Sequence, residues 1–137
     1  MIHELRISLL ASKATPAAVS EAEFLTPLGV SATDAMLFMG PDSSRIELAA
    51  VKHSKAEDRV EASEQFERDV ASSFERVEAW LGQRPPAVFE AIREHGVEME
   101  LLLDFWMDVD QLEFTLPPGL LLRLGERGLP FHLISND

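Results

Sequence analysis

Polar and apolar residues alternate at the start of the chain: Leu5, Ile7 and Leu9 are separated by Arg6 and Ser8, with Glu4 before them. A period of two predicts a strand with one buried face. Thr15-Pro16 supplies an N-cap and a proline at the first helical position. A short helix is expected from there towards Phe24, limited by Pro27 and Gly29. The apolar run from Met36 to Met39 predicts a short core strand, with a mobile apolar flap as the alternative, and Ile46, Leu48 and Ala50 predict a second strand facing the core.

Helical spacing dominates the middle of the chain. Ser54 and Glu57 stand at capping-box separation. Beyond them Val60, Phe66, Val70, Phe74, Val77 and Leu81 recur on one face, with charged residues on the other. This pattern predicts a long helix ending near Gly82. Pro85-Pro86 opens a further helix carrying Val88, Phe89 and Ile92, which Gly96 closes. His95 falls in its last turn, where a cation suits the helix dipole.

Alternation then returns. Val97, Met99, Leu101, Leu103, Phe105 and Met107 share one side of a strand. A turn over Asp108 to Gln111 is expected to pair it with a second strand through Leu112, Phe114 and Leu116. Pro117-Pro118 starts a last helix with Leu120, Leu121, Leu122 and Leu124, weakened by Gly125 and stopped by Gly128. Phe131 to Ile134 read as a final strand. The pattern satisfies one α+β domain over residues 1–137, a largely antiparallel sheet with helices packed on one face.

Two segments of the C-terminal half carry a family resemblance, residues 84–105 and 112–135. They hold a helix, a glycine turn and an alternating strand. Next come Phe114-Thr115-Leu116-Pro117-Pro118, the leucine-rich run Leu120 to Leu124, and Gly128-Leu129-Pro130 before the last strand. This arrangement resembles a bacterial domain-of-unknown-function family, number 4279. The resemblance implies a ferredoxin-like sandwich. It brings no catalytic residues, because that family has no assigned chemistry.

Charge narrows the function. Twelve basic residues face 24 acidic ones, a net charge of −12 at neutral pH. Such a field repels phosphate backbones and anionic lipid and attracts a basic partner. Cysteine is absent, so disulfides and thiol chemistry are excluded. No stretch has the length of a membrane span, and Glu4 and Arg6 interrupt what a signal peptide would need. A cytoplasmic protein is expected.

No phosphate-binding glycine loop and no nucleophile elbow occurs. His3, His53, His95 and His132 form no metal pair at helical spacing. His3, His53 and His132 share a sheet face in one reading; surface or edge positions are the default. Asp104, Asp108 and Asp110 suit a hard cation, yet the spacing is not that of a calcium loop and a solvated turn accounts for them. No catalytic residue, metal or cofactor is therefore expected.

The segment from Glu94 to Glu113 holds seven acids and no Lys or Arg. Alternation puts Glu98, Glu100, Asp104, Trp106 and Asp108 on one side, with Leu102 among them. A tryptophan rimmed by carboxylates has the form of an interface anchor; the alternative is that another segment covers Leu102 and Trp106. The partner-binding residues expected are Glu98, Glu100, Leu102, Asp104, Trp106, Asp108 and Glu113. The function expected is a non-catalytic acidic protein-binding module, in concrete form an immunity or antitoxin-like protein neutralising a basic bacterial toxin. The second reading is a small-ligand or regulatory domain acting as a homodimer.

Overall fold

A computed structural model describes residues 3–14, 18–31, 37–39, 43–53, 59–106 and 114–136. The elements, in order, are β1 (His3–Lys13), α1 (Glu21–Leu28), β2 (Leu37–Met39), β3 (Ser43–His53), α2 (Arg59–Gly82), α3 (Pro86–Glu94), β4 (Val97–Trp106), α4 (Pro118–Glu126) and β5 (Phe131–Asn136). They form a five-stranded sheet in the order β2-β3-β1-β4-β5. The β2–β3, β3–β1 and β1–β4 pairings are antiparallel and β4–β5 is parallel, so the sheet is mixed and the class is α+β.

The periodicity of β1 decides where the helices go. Leu5, Ile7, Leu9 and Ala11 are fully buried. They join Val97, Met99, Leu101 and Leu103 of β4 in a single core cluster. The same cluster takes Phe24, Leu25 and Leu28 from α1, Phe66 to Leu81 from α2, Phe89 and Ile92 from α3, and Leu120 and Leu124 from α4. Only one face of β1 and β4 enters it, so the helices lie on one face of the sheet.

Three expectations are corrected. The first concerns β3. Ile7 stands opposite Ala49 but Ser8 stands opposite Glu47, so Leu48 is an extra residue at a β-bulge. A bulge shifts the parity of everything beyond it. The inward residues are therefore Ile46, Ala49 and Val51, while Ala50 is exposed.

The second concerns the strand expected after β4. Phe114 to Pro117 have no regular structure, and Phe114 and Leu116 pack against the core instead. The Phe114 ring lies 5.7 Å from that of Phe74 on α2. The neighbour of β4 is β5, reached through α4. A parallel partner needs such a crossover, which a short hairpin turn cannot supply.

The third concerns helix starts. The first helix is capped by Ser20, not Thr15; residues 15–17 lie outside the described set. Ser20 Oγ accepts from the Glu23 amide at 3.2 Å, and the Glu23 carboxylate reaches back to Ser20. Pro27 sits in the last turn and Gly29 ends the helix at φ 72°, where a side chain would be strained. The Ser54–Glu57 capping pair lies outside the described residues.

Arginine side chains tie the helix ends together through main-chain carbonyls. Arg93 at the end of α3 donates to the Arg127 carbonyl at 2.7 Å. Arg127, 3% exposed, donates to the Arg84 carbonyl at 2.9 Å and the Arg123 carbonyl at 3.1 Å. Arg84 donates to the Leu28 carbonyl at 2.8 Å and the Trp80 carbonyl at 2.9 Å, and its guanidinium stacks 3.9 Å over the Trp80 ring. Burial pushes Arg84 below its usual value. The carbonyls at helix C-termini have no intrahelical donor, and guanidinium N–H groups supply one. This chain links the ends of all four helices.

Two stability predictions follow from these contacts. Arg127→Met removes two charge-assisted donors from part-buried carbonyls and is expected to cost about 2 kcal/mol in urea unfolding, with Arg127→Lys recovering only part of it. Glu23, paired with Lys13 at 2.6 Å, is held below its ordinary value by that ammonium and by Ser20. A depressed carboxylate stabilises the fold above its unfolded pKa, and that contribution is lost as pH falls through the folded value. Glu23→Gln is therefore expected to flatten the acid limb of a stability-versus-pH curve and leave the neutral-to-alkaline limb parallel to wild type.

Candidate functional site

The residues singled out on β4 all lie on the sheet face turned away from the helices. Glu98, Glu100, Leu102, Asp104 and Trp106 stand opposite Ser12, Leu10, Ser8, Arg6 and Glu4 of β1. Strand pleating therefore brings these five together as alternation requires. Asp108 and Glu113 lie outside the described residues.

The face is not a continuous acidic strip. β1 contributes Glu4 and Arg6, β3 contributes Arg45, Glu47 and Lys52, and β5 contributes His132 to the same side. Arg6 bonds Glu4 at 2.8 Å and approaches Glu47 at 3.7 Å. Its guanidinium also lies 5.4 Å from the centre of the Trp106 ring. Arg45 reaches over β1 to Asp104 at 3.4 Å. His132 meets Glu100 at 3.2 Å. The cations missing from the segment 94–113 are supplied by its neighbours. Among the described residues, Glu98 has no ion pair.

Burial divides the five further. Leu102 is 2% exposed and Asp104 6% exposed, although neither belongs to the helix-side core. Ser8, beside Leu102 in the register, is 1% exposed. Trp106 is half-buried beneath Arg6. The middle of this face is thus packed, and its accessible carboxylates are at the start of β4, at Glu98 and in part at Glu100.

That end of the strand borders a groove of about 350 Å3. Leu10, Glu98 and Glu100 from the strands line it together with Arg93, Gly128 and Pro130. Gly128 has φ 63°, and a Cβ there would lie 3.3 Å from the Arg93 guanidinium carbon. A side chain at this position would therefore be strained and would press on Arg93.

The histidines do not converge. His53 turns towards α2, where it meets Asp69 at 2.6 Å and the Phe66 ring edge-on at 5.3 Å. His132 stands on the opposite sheet face, and nothing is described for the His3 side chain. His95 is the exposed C-cap of α3. Among the described residues no group of three or more His, Asp or Glu is placed to hold a metal ion. No helix among them is long and apolar enough to cross a membrane.

Arg6, Arg45 and Arg93 are the functional neighbours that sequence reasoning missed. Arg6 and Arg45 were accessible in principle, because both occupy polar positions of predicted strands. Their partners became visible only with the β3–β1–β4 pairing. Arg93 belongs to a helix in the sequence and to the groove only in three dimensions.

The burial of Leu102 has a direct test. Leu102→Ala is expected to destabilise the fold by about 2–5 kcal/mol in denaturant, as a core leucine does. A surface position would change by less than about 0.5 kcal/mol.

No known family model matches the chain, and no match is found among the curated proteins or the solved structures.

Proposed function

We propose that this protein is a non-catalytic acidic module that binds a basic protein, in concrete form an immunity or antitoxin-like protein that neutralises a basic bacterial toxin. The observation that carries the reading is the distribution of charge. The chain has a net charge of −12. Arg84, Arg93 and Arg127 direct their guanidinium groups to carbonyls rather than to carboxylates. Acidic side chains are left in excess, among them Glu98 with no ion pair among the described residues. A surplus of one sign raises the encounter rate with a partner of the other.

Recognition by β4 centres on its first half. Glu98 and Glu100 are the accessible acids, whereas Leu102 and Asp104 are buried and Trp106 is half-covered by Arg6. Trp106 then adds a partly open aromatic surface at the far end. The kinship with family 4279 belongs to the same proposal. It is supported by the turn at Gly96, the alternating β4, the start of α4 at Pro118 and the Gly128 turn into β5. The ferredoxin-like class is its finer expectation, supported by the two layers of sheet and helices. β1 antiparallel to both neighbours and a parallel β5 set this sheet apart from a βαββαβ order.

Capture from the source lysate tests the reading, comparing wild type with a folded Glu98→Lys, Glu100→Lys variant. Wild type is expected to retain a specific basic protein. With that protein purified, the double variant should associate at least about tenfold more slowly at low salt, and the difference should shrink as salt rises. Retention of no basic protein, or equal association by both forms, would overturn it.

A further inference from the structure

The geometry points to a binding site for a small zwitterion of the α-amino-acid class in the groove where β4 begins. Its volume of about 350 Å3 lies within the range of small-molecule pockets, about 300–1,000 Å3. What distinguishes it is the arrangement of charge around the walls.

Glu98 and Glu100 are two residues apart on β4, so both project from the same face of the sheet. Arg93, from the end of α3, lines the same groove. One of its N–H groups is held by the Arg127 carbonyl at 2.7 Å. That bond orients the guanidinium without neutralising it, because a carbonyl carries no charge. A guanidinium has five donors in a rigid fork, and the fork matches a carboxylate. Among the described residues Arg93 meets no carboxylate within ion-pair distance.

A ligand of one sign would be attracted by one part of this lining and repelled by another. A ligand carrying an ammonium and a carboxylate meets favourable charge at both. In this pose the ligand carboxylate lies against Arg93 and its ammonium against Glu98, with Glu100, already met by His132 at 3.2 Å, beside it. Leu10 and Pro130 offer the apolar surface for a side chain. Gly128 keeps space beside the Arg93 guanidinium, since any Cβ there would lie 3.3 Å from it. The site shares Glu98 and Glu100 with the proposed partner surface, but its test needs no protein partner and fails or succeeds separately from the toxin-neutralising reading.

Isothermal titration of the full chain with L-leucine, L-methionine and L-glutamine tests the site. At least one is expected to bind. For that amino acid, N-acetylation and carboxyl amidation should each weaken binding about tenfold or more, the loss of one charge-assisted contact. Glu98→Gln, at an exposed position, should weaken the free amino acid by a similar factor. The same substitution should not weaken the N-acetyl form, because the ammonium it meets is already gone. Circular dichroism confirms that the variant is folded. Absence of binding by all three at millimolar concentration would overturn the site. So would capped forms that bind as tightly as the free amino acid, or a Glu98→Gln effect equal for free and acetylated ligand.

Discussion

β1 is the strand on which the rest of the molecule depends. It is hydrogen-bonded on both edges, to β3 and to β4, and its inward residues are fully buried. Each of Leu5, Ile7, Leu9 and Ala11 therefore touches a core closed from the sides by sheet and from above by helix. Its outward residues have a second role. Arg6 sits between acids from two strands and over an aromatic ring, so the central strand also organises the charge of the far face. A one-residue slip of β1 would exchange these two sets and lose both.

The helical layer is held by a different device. A protein with twice as many acids as bases would be expected to pair every arginine with a carboxylate. Here three arginines instead donate to carbonyls at the ends of helices. The physical gain is that helix C-termini, rich in unpaired carbonyls, are brought close together at one side of the domain without leaving those groups dry and unsatisfied. The consequence is electrostatic. Cations used in this way keep their charge but sit between helices, and the acids of the chain stay in excess. Structural economy inside the fold and acidity at its surface are thus two sides of one arrangement.

The far face of the sheet shows how a polar surface becomes a layered one. Leu102, Ser8 and Asp104 are as inaccessible as core residues. Arg45 spans β1 to reach Asp104. Accessible chemistry is displaced to the periphery, where β4 begins beside the α4–β5 turn. There the carboxylates of one strand and a guanidinium from a helix end share a groove.

Local periodicity determined a large part of this protein. The apolar repeat from Phe66 to Leu81 specified α2, alternation specified β1 and β4 with their inward residues, and prolines and glycines bounded α3 and α4. These signals are legible because each depends on a single element meeting a single apolar layer. The excess of acids and the gathering of Glu98, Glu100, Leu102, Asp104 and Trp106 on one face were legible for the same reason. Tertiary structure alone decided the bulge at Leu48, since a bulge exists only relative to a partner strand. It also decided that β4 pairs with β5 and not with the residues around Phe114, because both segments are apolar and the choice rests on how α4 packs. The counter-charges came from residues distant in sequence, Arg6 and Arg45 across the sheet and Arg93 at a helix end. A pattern along one chain segment carries no information about which charge another segment will set beside it, so accessibility and electrostatics at the site waited for the fold.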